Sequence, residues 1–322
     1  MKRKVASVFI LVLLIAIAYC FLAYANEVME SVLFSFSIWK DNLVPTLFPF
    51  FVLSEFFIQY GLVDFLGELC KKFMNKIFHL PGECAFVLAM SMVSGFPSGA
   101  KYSKALLENK TITEQEATRL ITFSHFSNPL FIMGTIATLF LKNKTLGTAI
   151  LVCHFAANFV LGIIFRPKKR PPLLQSSSLR TALSKMHKKR MYNPLNFGQI
   201  LTRALTNSFQ TLFLMLGIVT FFLIITTLLQ QIIPLNDIEK TLLSGILEMT
   251  QGVKYASTLS ISLFFKSMLM LAFISFGGLS IHMQIISIIC DTKIEYRTFF
   301  FARILHAIIA CTLFLLCYPL LF

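Results

Sequence analysis

Long apolar runs alternate with short polar segments along the whole chain. Val5 to Ala25 is apolar or small throughout, about 21 residues, enough to cross a ~30 Å hydrocarbon layer. Ala23-Tyr24-Ala25 also fits a signal-peptide cleavage pattern, but the run is long for a signal-peptide core, which favours a retained helix. Val28 to Asp41 is mixed and suits a helix along the outer interface. Pro45 and Pro49 open a span from Leu43 to Leu66. Further spans are expected at Ala117–Leu141, Leu146–Phe165, Phe209–Leu229, Ser262–Ile289 and Phe299–Leu321.

Two apolar stretches are too short to cross. Cys84 to Val93 is about half a bilayer long at ~1.5 Å per residue, and it ends at Ser94-Gly95-Phe96-Pro97-Ser98-Gly99-Ala100. Leu242 to Leu247 leads likewise to Glu248-Met249-Thr250-Gln251-Gly252. Both read as re-entrant hairpins, whose irregular backbone must be buried in protein or line a wet cavity. Two spans are interrupted, at Ser124-His125-Phe126-Ser127-Asn128-Pro129 and at Ser275-Phe276-Gly277-Gly278-Leu279-Ser280. Thr113 with Glu116 has the form of a capping box that starts the first of them.

Composition fits this pattern. Only 14% of the 322 residues are charged against 56% hydrophobic, whereas soluble domains carry about 25% charged residues. A cytosolic enzyme, a disordered protein and a secreted disulfide scaffold are excluded. The net charge of +14 is gathered in blocks between the apolar runs, as charges that orient spans are. Arg166 to Arg190 carries nine Lys/Arg and no acid, the strongest cytoplasmic signal. The basic start, Lys2-Arg3-Lys4, keeps the N-terminus in the cytoplasm. The seven Cys form no C-x-x-C pair, so no metal, redox or cofactor site is expected, and no nucleophile–base pair suggests an enzyme.

The halves repeat. Thr46-Leu47-Phe48 and Phe56-Phe57 match Thr211-Leu212-Phe213 and Phe221-Phe222 at one offset of 165. Gly99-Ala100-Lys101-Tyr102 matches Gly252-Val253-Lys254-Tyr255, and Phe123 and Phe126 match Phe273 and Phe276. Three spans and one hairpin per half make the repeats inverted. The expected fold is therefore an all-α polytopic membrane protein of about seven transmembrane helices plus two re-entrant hairpins, in two inverted-topology repeats with broken helices.

Ser94 to Lys101, Phe123-Ser124 with Ser127-Asn128-Pro129-Leu130-Phe131, and Gly278 to Gln284 with Tyr296-Arg297 and Ala302 to His306 resemble the YlbJ (SpoVV) family of sporulation integral membrane proteins, within the nucleoside-recognition or Gate superfamily. A Tyr common in that family is Phe96 here. The resemblance divides the chain into an N-terminal helix (1–25), an interfacial segment (26–42), Gate-like repeat A (43–165), a basic cytoplasmic loop (166–195) and Gate-like repeat B (196–322). It implies a transporter moving dipicolinic acid out of the mother cell across the outer forespore membrane. A nucleoside or other metabolite carrier and a non-transport scaffold are the alternatives.

Dipicolinate is a flat ring with two carboxylates, so its site needs oriented donors and little fixed negative charge. Half-helix N-termini offer free N–H groups and partial positive charge. The candidate binding residues are therefore Ser94, Pro97, Ser98, Gly99, Ser124, Ser127, Asn128, Ser275, Gly277, Gly278, Ser280, His282 and Gln284, with Phe96, Phe126 and Phe276 placed to stack. Glu55, Lys101, Lys254, Arg303 and His306 are candidates for charge or coupling roles. For His125, His154, His282 and His306 the commoner role is a hydrogen bond between helices. The expected partners are a small-molecule anion and membrane lipids, with a second copy or a sporulation membrane protein as further alternatives, and no nucleic acid.

Overall fold

In the computed structural model, which describes residues 2–168 and 178–321, the chain is helical with no strand among the described residues. In order the helices are α1 (Lys2–Ala23), α2 (Ala25–Ile38), a π-helical turn (Trp39–Leu43), α3 (Val44–Gln59), α4 (Leu62–Ile77), α5 (Cys84–Ser94), α6 (Ser98–Glu108) and α7 (Glu114–Phe123). A π-helix (Phe131–Phe140), α8 (Lys144–Ile164), α9 (Leu179–Met191), α10 (Phe197–Ile232), α11 (Asp237–Leu247), α12 (Met249–Thr258), α13 (Leu263–Phe276), α14 (Gly278–Ile289) and α15 (Tyr296–Leu321) follow.

Five stretches are long and apolar enough to cross a membrane: Ala25–Gln59, Lys144–Ile164, Phe197–Ile232, Leu263–Ile289 and Tyr296–Leu320. Seven spans were expected. Ala117–Leu141 is not among the five because it divides into two helices of 10 residues each, separated by irregular backbone. The N-terminal helix contributes the shorter apolar stretch Ile10–Ala23.

The sequence-based boundary near residue 42 falls inside a continuous helix. The interfacial segment and the span after it are one helical run of 35 residues, Ala25–Gln59. The π turn at Trp39–Leu43 carries the backbone through and accommodates Pro45, which has no N–H to give to the preceding turn. The run stops before Leu66, at Gly61, whose φ of 82° is left-handed. Nor is 166–195 simply a loop: Ser178 caps the basic helix α9, its side chain accepting from Thr181 N–H. Residues 169–177 of that segment lie outside the described residues.

α10 is 36 residues long, about 54 Å, and it starts at Phe197 rather than near Phe209 because Asn196 and Gln199 form a capping box there. It packs antiparallel to Ala25–Gln59. Ser31 pairs with Thr227 at 2.8 Å, Ser35 with Thr220 at 2.7 Å, and Trp39 Nε1–H donates to Leu212 O at 2.8 Å. Leu47, Phe51, Leu212 and Met215 close the seam below them. Hydroxyl pairs of this kind let two apolar helices recognise each other in lipid, where burial of Leu against Leu offers no advantage over hydrocarbon.

The large core holds α5–α8, α12–α15 and the π-helix together. α4 adds Val63 and Met74 to this core and also packs on α9, where the buried carboxylate of Glu68 pairs with the Lys185 ammonium and lies 4.0 Å from that of Lys71.

Candidate solute-binding site

Four interruptions of regular helix meet inside the core. α5 ends at Gly95, φ 78°, and α6 begins three residues later. α7 gives way to irregular backbone at 124–128. α11 and α12 are separated by Glu248 alone, with extended φ and ψ, and α13 and α14 by Gly277 at φ 93°. Each hairpin break sits against the neighbouring helix break. A Cβ on Gly95 would lie 2.8 Å from Asn128 N, and one on Gly278 3.0 Å from Met249 N. Glycine is required at both contacts because nothing larger lets the backbones approach this closely.

A cavity of about 380 Å³ opens at this meeting point. Ser94 and Phe96 line it from the first hairpin, and Ser127 and Asn128 from the first helix break. Glu248, Met249, Thr250 and Lys254 line it from the second hairpin, and Ile281 and Gln284 from α14. Phe34, Thr46 and Met215, on the long antiparallel pair, form the facing wall. The cavity is largely apolar with a few convergent polar groups, the usual make-up of a small-molecule site.

Those polar groups are partly fixed and partly free. Ser94 Oγ lies 2.6 Å from both Met90 O and Ser98 Oγ. Asn128 donates to Ser94 O at 3.2 Å and accepts from Leu130 N–H at 2.7 Å, so its amide staples the two breaks together. Ser127 Oγ and Gln284 Oε1 are buried and have no hydrogen-bond partner. Glu248 caps α12: Oε2 accepts from Gln251 N–H at 3.0 Å and from the Thr250 hydroxyl, while Oε1 lies 3.5 Å from Ser280 Oγ. Glu248 and Lys254 are the ionisable residues that line the cavity, and the Lys254 ammonium stands 4.3 Å from the Phe34 ring centroid.

Behind the cavity lies a second polar layer. Ser127 N–H donates to His154 Nε2 at 2.9 Å, so the proton of this imidazole is on Nδ1, 3.0 Å from Ser275 Oγ. His306 contacts His154 O at 2.9 Å and Ser275 O at 3.1 Å. The fully buried Arg303 donates to His125 O at 3.3 Å, to Thr122 O and to Asn158 Oδ1. Thr122 O belongs to the last turn of α7 and His125 O lies just past its end, so the guanidinium caps a half-helix at its negative end. His282 donates from Nε2 to Phe276 O at 3.2 Å and accepts from the Tyr296 hydroxyl at 3.0 Å.

The sequence-derived candidates thus fall into three places. Ser94, Ser127, Asn128, Gln284 and Lys254 line the cavity. Ser98, Ser275, Ser280, His282, Arg303 and His306 bond to the breaks from behind, and Pro97, Gly99, Ser124, Gly277 and Gly278 form their backbone or its packing. Glu55 and Lys101 lie away from it. The Glu55 carboxylate accepts from Gln59 at 3.1 Å and Asn207 at 3.2 Å, and the Lys101 ammonium lies 4.3 Å from the Phe51 ring centroid. Phe96 faces the cavity, whereas Phe126 packs on Phe155 and Phe276 on His282.

Sequence reasoning passed over Glu248. Its signal was a lone acid at the end of an apolar run, directly before a helix start.

The first hairpin and first break lie within residues 42–144, which match the Gate family model, described as nucleoside recognition. Over 306 residues the chain is 34% identical to the sporulation integral membrane protein YlbJ of Bacillus subtilis (strain 168), covering 87% of this chain and 75% of that protein. The chain belongs to the YlbJ family. Its apolar helices agree with the integral membrane character in that relative's name. No solved structure matches it. The match to the YlbJ relative extends well past the Gate segment, so family likeness covers both walls of the cavity.

Proposed function

We propose that this YlbJ-family protein is a secondary-type transporter that carries a small aromatic dicarboxylate, dipicolinic acid, through the cavity between its two halves. The observation that carries the reading is the convergence of four helix interruptions on one cavity, with Ser127 Oγ and Gln284 Oε1 buried there without partners. Side chains that merely repaired kinked helices would spend their hydrogen bonds on backbone, as Ser91 does on Val87 O and Leu88 O.

Inverted repeats are part of the proposal. Leu47 and Leu212 are 165 residues apart, the repeat offset, and they pack together on antiparallel helices. A pseudo-twofold axis in the membrane plane brings equivalent positions together in this way. Such halves can rock about a central site and open it to either side. A negative cytosol expels anions by ~2.3 kcal/mol per charge per 100 mV, so export needs no nucleotide hydrolysis. In a sporulating host the membrane concerned is the outer forespore membrane.

A nucleoside carrier is the second reading. The Glu248 carboxylate favours it, since an acid lining the cavity suits hydroxyl and amine donors, and so does the nucleoside-recognition description of the matching family model. Purified protein in liposomes separates the two. Saturable dipicolinate flux that uridine leaves unchanged supports the first; saturable uridine flux without dipicolinate flux replaces it by the second.

A further inference from the structure

Glu248 creates a difficulty for an anionic solute. Its carboxyl is 1% exposed, lines the cavity, and has no ammonium or guanidinium within ion-pair distance among the described residues. Oε2 is fully committed to the start of α12, through Gln251 N–H and the Thr250 hydroxyl. Oε1 has one long contact, 3.5 Å to Ser280 Oγ, and is left with bonding capacity. Gln284 stands one helical turn beyond Ser280 on α14 and lines the same cavity, with Oε1 unpartnered. The buried oxygens left with bonding capacity here, Glu248 Oε1 and Gln284 Oε1, are acceptors, which repel a carboxylate.

We infer that Glu248 is the proton site of the transporter: a proton from water binds Oε1 before or with the anion, and the new O–H donates to a carboxylate of the solute. One proton then crosses with each solute, and a dianion moves as a net single negative charge. On the opposite side the proton leaves Oε1 for water and the solute dissociates. Nothing else in the cavity wall competes for this role. Lys254 on α12 is the other ionisable lining residue, and its ammonium rests over the Phe34 ring. On α14, His282 is turned away to Tyr296 and Phe276 O; on α13, Lys266 donates to Ser257 O; on α12, the Tyr255 hydroxyl faces Gln251 and Gln230. From α11, α10 and the π-helix no titratable side chain lines the cavity.

The inference rests on the dicarboxylate reading, and the test separates the two. Dipicolinate affinity of the purified full chain is measured calorimetrically between pH 6.5 and 8.5, where aromatic carboxylates are ionised, in buffers of different ionisation enthalpy that report proton uptake. The native protein is expected to take up close to one proton per dipicolinate at the alkaline end. Its affinity should weaken by up to about tenfold per pH unit there. Glu248→Gln keeps the oxygen that caps α12 and should bind with the affinity of the native protein at low pH, independently of pH and without proton uptake. Pyridine, the same ring without carboxylates, is expected to take up no proton. Dipicolinate binding by the native protein with no proton uptake and flat affinity overturns the proton site and leaves the dicarboxylate reading standing. Uridine binding with no dipicolinate binding at any pH overturns both.

Discussion

His154 joins the two broken helices: its Nε2 accepts from Ser127 N–H at 2.9 Å in the first break, and its Nδ1 meets Ser275 Oγ at 3.0 Å just before the second. One imidazole therefore satisfies an open backbone donor in one half while holding a hydroxyl of the other. Replacing it with Phe leaves Ser127 N–H orphaned in the core, which costs about 1–3 kcal/mol. The expected outcome for His154→Phe is a lower midpoint of thermal unfolding in detergent. An unchanged midpoint contradicts the bridging role.

Arg303 is bound by carbonyl and amide oxygens rather than by a carboxylate, so its value is in geometry. Lysine keeps the charge but cannot span Thr122 O, His125 O and Asn158 at once. Arg303→Lys is expected to destabilise the protein by about 2–4 kcal/mol, the scale for buried charge-assisted bonds left unmade. Thermal unfolding of the variant, alongside Arg297→Lys outside this network, measures the effect.

The first hairpin seats on the first break without spare room. A Cβ on Gly99 would lie 1.9 Å from Ser124 O, whereas Gly134 and Gly217 have nothing within 4 Å. Gly99→Ala should therefore unseat the hairpin, with a cost of about 1–3 kcal/mol typical of overpacking and a loss of solute binding. Gly134→Ala and Gly217→Ala should be neutral in both measurements.

Two ion pairs tie polar ends of helices together and differ in their pH response. The Lys104 ammonium, 2.6 Å from Asp291 Oδ1, holds the Asp291 carboxyl below its usual range. Its contribution is present above the ordinary Asp value of about 3.9 and is lost as pH falls through the lowered one. The hydrogen bond to Glu68 raises the Lys185 ammonium above its usual range, so that contribution is present below the ordinary value of about 10.4 and is lost as pH rises through the raised one. Asp291→Asn should lose the acid-limb dependence, and Lys185→Ala should increase protease cutting near Tyr192 at neutral pH. Unfolding midpoints against pH and limited proteolysis check these.

The breaks were legible because they are written in backbone chemistry. Gly95, Pro97, Ser127-Asn128 and Gly277-Gly278 interrupt apolar runs with residues that either cannot continue a helix or can replace its hydrogen bonds. The helical path through Pro45 was not legible, because a π turn five residues long rescues it and no local pattern announces one. Glu248 was hidden for a different reason. Its meaning depends on Ser280, which it contacts, and on Gln284, which lines the same cavity, both more than thirty residues away. The histidines illustrate the same limit. Their places in or beside spans suggested helix–helix bonds, which His154 and His306 make, but which backbone atoms they would reach was set by tertiary packing.

Dipicolinate flux across proteoliposomes, compared between the native protein and Asn128→Leu, tests the cavity as a passage most directly. Asn128 lines it and staples the two breaks, while leucine has similar volume and no polar atom. The expected result is saturable flux in the native protein and its loss in a variant that still inserts and unfolds cooperatively. Equal flux in both, or no saturable flux in the native protein, would contradict it.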